Sequence, residues 1–156
     1  MTAWEDRSPV RAAYLNPAFI AMVIAATSRG YAGARRQPMT WPLAFVTVPL
    51  VLHRPTRERL PRTPATHLPR WIADNPVIRA GFPARAMALV PAVREGLRVG
   101  LRHHVLTLEP DGVGASLTPK LDGDASTIVT KAGFVGRWLA RTGDAATVFG
   151  LLGVEP

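Results

Sequence analysis

The sequence predicts an α+β fold that is mostly helical: a winged-helix-like core carrying a small β-hairpin wing, followed by two C-terminal helices. Three observations point there. Residues that cap or open helices recur along the chain, at Asn16-Pro17, Asn75-Pro76 and Asp144. One stretch, HVLTLEPDGVGASLTP, abandons helical spacing for two short arms around Pro110-Asp111-Gly112, a turn signal. The 156 residues hold no repeat or low-complexity segment, and their prolines are spread too evenly to mark a boundary, so the chain reads as one domain. Its core covers about 14–120 and a C-terminal helical segment covers 124–156. A chain of this size buries roughly two thirds of its unfolded surface without needing a metal or disulfide.

The first helix starts at Asn16-Pro17, where the amide caps free N–H groups and the proline ring suits the first turn, and it is expected to stop near Arg29 before Gly30. Phe19, Ile20, Val23 and Ile24 recur at helical spacing, with alanines and Met22 widening the apolar face until the helix is mostly buried. After a loop containing Arg35 and Arg36, WPLAFVTVPLVLH is dense in β-branched and aromatic residues and predicts a buried strand. Pro49 leaves an edge strand or an irregular segment open.

A short helix follows, starting at Thr63-Pro64 or at Thr66 and ending at Asn75. The next begins at Asn75-Pro76 and runs to about His103, with interruptions at Gly81-Phe82-Pro83 and a kink expected at Pro91. Beyond the hairpin, Ser126 to Thr142 predicts a helix carrying Ile128, Phe134, Val135, Trp138 and Leu139. Gly143 closes it, and Asp144 caps a last helix from Ala145 to Leu152. Helix, strand, two helices and a hairpin, in that order, is the winged-helix sequence of elements.

Composition removes several chemistries. With no cysteine, thiolate nucleophiles, iron–sulfur clusters and Cys-ligated zinc are excluded, and a cytoplasmic location fits. His53, His67, His103 and His104 stand at no catalytic or metal-ligand spacing, and His103 and His104 project about 100° apart on a helix. DGVGAS lacks the Lys-Ser/Thr pair of a phosphate-binding loop. No cofactor, metal or catalytic residue is therefore expected, and the chain does not read as an enzyme. The opening MTAWEDRSPVR is unlike a secretory signal. Two uncharged runs, Ala12 to Ser28 and Gln37 to His53, approach the length of a membrane span, but Pro17 splits the first and Pro38, Pro42 and Pro49 interrupt the second. No membrane partner is expected.

What remains is charge. The formal net charge is +8, and all basic residues except Lys120 and Lys131 are arginine. Arginine offers a flat fork of donors that matches phosphate or carboxylate, so nucleic acid and acidic protein surfaces are both suitable partners; codon bias is the bland source of the same excess. Arg94, Arg98 and Arg102 recur every fourth residue and form one stripe on the helix before the wing, where a winged helix would meet DNA. The same stripe is also what the solvated half of an amphipathic helix looks like. Arg54, Arg57, Arg59 and Arg62 cluster on what reads as an extended turn stiffened by Pro55 and Pro61. Near the terminus, Arg137 and Arg141 add basic contacts. Phe149, Leu151 and Leu152 make the last helix either the closing element of the core or a plug for a partner's groove.

Four segments carry a family likeness: NPAFIAMVIAATSRGY, WPLAFVTVPLVLHRPTRERLPRTPATHLPRWIADNP, ALVPAVREGLRVGLRHHVLTL and KAGFVGRWLARTGDAATVFGLLGVEP. Together they cover most of the chain. The NP-x-F opening, the VPLVLHRPTRERLP step and the GRW-x-A-x-x-GD-x-AT-x-F-x-x-x-GV-x-P ending, in that order, resemble the middle component of bacterial three-component ABC systems. The resemblance implies a non-catalytic adaptor between an SMC or Rad50-like ABC ATPase and an effector, often a nuclease, in defence against phages and mobile DNA. DNA would be reached through the complex. The rival reading is a stand-alone winged-helix DNA-binding regulator. Arg54, Arg57, Arg62, Arg94, Arg98, Arg102, Arg137, Arg141, Phe149 and Leu152 are the expected contact residues.

Overall fold

The computed structural model describes residues 15–155; the MTAWEDRSPVR opening and residues 12–14 of the first uncharged run lie outside the described residues. In chain order the elements are α1 (Pro17–Arg35), a single 3-10 turn (Trp41–Leu43) leading into α2 (Ala44–Leu52), α3 (Arg54–Glu58), α4 (Leu68–Asp74) and α5 (Pro76–Arg102). The hairpin β1 (Leu106–Glu109) and β2 (Gly112–Ala115) follows, then α6 (Gly123–Ala140) and α7 (Ala145–Leu152). The described residues are thus mostly helical, with one small antiparallel sheet and two C-terminal helices.

α1 opens as its sequence dictates: the Asn16 side chain accepts the Ala18 N–H at 2.8 Å, with Pro17 in the first turn. It does not stop at Gly30. It continues to Arg35 and ends at Arg36, which takes a left-handed φ of 61°. Gly30 is a contact point instead of a terminator, because a Cβ there would fall on the Gly133 carbonyl of α6. Gly136 repeats the arrangement, its missing Cβ leaving room for the Thr27 carbonyl of α1. The two helices therefore meet backbone to backbone, with Ala25, Ala132 and Val135 fully buried along them.

The expected strand in WPLAFVTVPLVLH is a helix. Ala44, Val46, Thr47, Val48, Leu50 and Val51 are all buried, and Phe45 and Leu52 on the half-buried side are apolar as well, so no exposed polar residue marks a periodicity that separates helix from strand. Tertiary burial overrides the β preference of its valines. Pro49 is tolerated near the helix end.

α5 also corrects the sequence reading. It is helical throughout, unbroken at Gly81-Phe82-Pro83 and continuing through Pro91, because Ile78, Phe82, Ala86, Val93, Gly96 and Gly100 bury one face of it against the body. α4 starts at Leu68, later than either predicted start, and α6 starts at Gly123, ahead of Ser126. The hairpin falls where expected, pairing Leu106 with Ala115 and Glu109 with Gly112. On its other edge, Met39 forms a single antiparallel bridge with Val113, whose N–H donates to the Met39 carbonyl at 2.8 Å. Ser28 Oγ donates to the Val113 carbonyl at 2.7 Å and ties the sheet to α1. Among the described residues no helix is long and apolar enough to cross a membrane.

Candidate functional site

The arginines divide into two populations. The first points inward and terminates helices. Arg57 is half-buried, and its Nη1 donates to the Val51 carbonyl at 2.6 Å and the Leu52 carbonyl at 3.4 Å, closing the C-terminal end of α2. Arg35 Nη1 donates to the Ala140 and Gly143 carbonyls at 3.1 and 2.8 Å and so closes α6. Arg79 Nε donates to the Leu151 carbonyl at 2.8 Å at the end of α7. Cations are favourable there because unpaired carbonyls give a helix C-terminus partial negative charge. Arg85 Nη2 donates to the Ile78 carbonyl at 2.9 Å. Arg57, expected as a contact residue, serves within the chain as a helix cap.

The basic turn itself is a short helix, α3, joined to a loop held at both ends. Arg54 is exposed and ion-paired with Glu58 at 2.7 Å. The Trp71 indole N–H donates to the Arg59 carbonyl at 2.7 Å, and the Trp138 indole N–H donates to the Thr66 carbonyl at 2.6 Å. The two rings meet edge to face at 5.3 Å, and Phe134 stacks on Trp138 from the next turn of α6. The Arg59 and Arg62 side chains thus project from a loop fixed to the core by two buried tryptophans. Below them, His53 Nδ1 lies 2.7 Å from the buried Thr56 hydroxyl. Burial, then the nearby Arg85 and Arg57 charges, hold the His53 imidazole below its ordinary pKa.

The C-terminal helix is built as the sequence predicts. Asp144 Oδ1 accepts the Thr147 N–H and hydroxyl, both at 2.8 Å, and these hydrogen bonds hold its carboxyl below the usual range. Gly143 and Gly153 take positive φ values of 117° and 73° at the two ends. Val148, Phe149 and Leu152 are buried, so α7 closes the chain's own core. Phe149 and Leu152, expected as contact residues, lie in the core of the chain; Leu151 is half-buried, and Ala146, Thr147 and Gly150 form the outer side.

The second arginine population points outward. Arg29, Arg36, Arg59, Arg62, Arg94, Arg98, Arg102, Arg137 and Arg141 are exposed, and their side chains make no hydrogen bond or ion pair with the described residues. Arg94, Arg98 and Arg102 share one outer face of α5. Arg137 and Arg141 share a face of α6 and its end. Arg29 and Arg36 line an open groove of about 840 Å³ between α1 and β2, together with Ser28, Gln37, Glu109 and Gly114. This groove escaped sequence reasoning because its walls lie far apart in the chain and are brought together by tertiary contacts such as that of Ser28 with Val113. Among the described residues, no group of three or more His, Asp or Glu side chains could hold a metal ion.

These positions make the surface suited to docking on phosphate or carboxylate groups, and the residues behind the sequence likeness are architectural: Asn16 caps α1, Arg57 closes α2, Trp138 anchors a loop and Asp144 caps α7. The family model for ABC-three component (ABC-3C) system Middle Component 3 matches residues 4–156. The chain belongs to that family and is a component of a three-component ABC system. No curated protein and no solved structure matches it significantly.

Proposed function

We propose that this chain is a non-catalytic adaptor that links an SMC or Rad50-like ABC ATPase to an effector subunit in a cytoplasmic defence complex acting on phage or mobile DNA. The observation that carries the reading is the division of the arginines, within a family defined as the middle component of a three-part system. Arg35, Arg57 and Arg79 hold helix ends, while Arg59, Arg62, Arg94, Arg98, Arg102, Arg137 and Arg141 stand on separate outer faces of the body. Guanidinium groups without an acidic partner among the described residues, on more than one face, suit a subunit that touches more than one neighbour. Contacts that differ between the nucleotide states of the ATPase would then bias the effector through the adaptor. Co-expression with the two proteins encoded beside it tests this. Both should be retained on the tagged chain through gel filtration; a chain that elutes alone overturns the reading.

A second reading rests on a specific observation. The Met39–Val113 bridge sets a third extended residue beside the hairpin, which supports a winged-helix-like core despite the helical α2, and α5 leads into that hairpin with its arginine stripe exposed. On this reading the chain binds DNA by itself through α5 and the Asp111-Gly112 wing. A salt titration separates the two: a regulator keeps sequence preference at physiological salt, whereas a basic adaptor shows only weak association that fades steeply with salt.

A further inference from the structure

The outer face of α5 is patterned along its whole length. Val77, Ala80, Ala84, Met87, Pro91, Arg94 and Arg98 follow one another in alternating steps of three and four, the spacing that keeps residues on a single seam of a helix. They lie opposite the buried Ile78, Phe82, Val93 and Gly96. Each of the seven is exposed, Val77 at 84 % and Met87 at 70 % of full accessibility, an unusual state for large apolar side chains so far from a chain end. The seam changes character at Pro91, from apolar before it to arginine after it, and Arg102 continues the basic half. No acidic residue falls on it; Glu95 is half-buried at its margin, with Oε2 out of solvent.

We propose that this seam is the docking face for one amphipathic helix of another component of the system, lying antiparallel to α5, with an apolar C-terminal half and carboxylates in its N-terminal turns. The proposal rests on the adaptor reading and specifies its surface. Charge complementarity fixes the chemistry: Arg94, Arg98 and Arg102 need carboxylates opposite them, and the apolar half needs an apolar seam. The orientation follows from helix electrostatics, since acidic side chains are favoured in the first turn of a helix and an antiparallel partner brings that turn over the arginine end. At about 1.5 Å per residue the face is roughly 40 Å long, enough for a partner helix of some seven turns. A second copy of this chain is a poorer occupant. Antiparallel self-pairing would lay Arg98 and Arg102 over Ala80 and Val77 without a carboxylate, and parallel pairing would set arginine against arginine.

Full-length chain carrying Met87→Glu, Arg94→Glu with Arg98→Glu, or Arg94→Lys with Arg98→Lys is co-expressed with the two neighbouring-gene proteins. Thermal melts are recorded alongside. The glutamate variants should melt as wild type yet retain a component at least tenfold less well, and the lysine variant should retain most of it. Wild-type retention should weaken as salt rises. If the glutamate variants hold both components as wild type does, the α5 face is wrong while the adaptor reading stands. If wild type retains neither component, the adaptor reading itself fails. A wild-type dimer that Met87→Glu dissociates makes a second copy the occupant and overturns the proposal. Slow oxidation of Met87 in the isolated full-length chain would also overturn it, by showing that the chain covers this face itself.

Discussion

The α1–α6 interface and the outer face of α5 are opposite solutions to the problem of what a helix surface is for. Between α1 and α6 the sequence removes side chains: at Gly30 and Gly136 a carbonyl of the facing helix occupies the place of the missing Cβ. On α5 the sequence adds side chains that nothing among the described residues receives, Val77 and Met87 on one half, Arg94 and Arg98 on the other. The first surface has finished its interactions within the molecule; the second has not. The arginines divide along the same line, since Arg35, Arg57 and Arg79 spend their donors on helix ends whereas Arg94, Arg98 and Arg102 spend none on the described residues.

The sharpest way to break this contrast is to put a side chain into the closed interface. Gly136→Leu drives at least a Cβ into the Thr27 carbonyl, a backbone atom that cannot rotate away. Overpacking of this kind costs about 3 kcal/mol or more, a large share of the ~5–15 kcal/mol that holds a domain together. Loss of soluble, cooperatively melting protein is the expected result. Trp138→Ala comes next, because it removes a side chain only 1 % exposed, its contacts with Trp71 and Phe134, and the indole donor to Thr66. A loss of about 3–5 kcal/mol is expected from urea unfolding.

A smaller effect is expected of Arg35→Met, which keeps much of the aliphatic stem but leaves the Ala140 and Gly143 carbonyls without their guanidinium partner. Hydrogen bonds from charged donors suggest about 1.5–3 kcal/mol, and the half-exposed setting places the expected value toward the lower end. Smaller still is the acid sensitivity of His53. Its folded pKa lies below its unfolded value of about 6.5, so the folded state resists protonation. Stability is therefore full above that unfolded value and declines as pH falls through it toward the folded value. Urea midpoints compared between pH 8 and pH 5 should fall further in wild type than in His53→Asn, which keeps a polar atom near the Thr56 hydroxyl; equal slopes would remove His53 from the account.

The same contrast explains what the sequence disclosed. Local chemistry was legible: Asn16 and Asp144 cap the helices they were expected to cap, α7 spans Ala145 to Leu152, and Pro110-Asp111-Gly112 turns the hairpin. Tertiary chemistry was not. Gly30 looks like a stop signal until α6 is seen to need its missing Cβ, and WPLAFVTVPLVLH looks like a strand because apolar residues on every side erase its helical period. The Arg94, Arg98 and Arg102 stripe could be read from spacing alone, because an exposed face keeps its pattern. Arg57 could not be told from its exposed neighbours, since the two carbonyls it closes are visible only in three dimensions. Nor could the apolar half of the α5 seam, which was hidden by the expectation that Gly81-Phe82-Pro83 would interrupt the helix.

Hydroxyl-radical footprinting of methionines tests the central contrast most directly, because one methionine lies on each kind of surface. Met39 is fully buried beside the hairpin, while Met87 stands 70 % exposed at the middle of the α5 seam. In the isolated chain Met87 should oxidise readily and Met39 should not; in the complex with the neighbouring-gene proteins Met87 should become protected while Met39 stays unchanged. A Met87 that oxidises equally fast in the isolated chain and in the assembled complex would contradict the account.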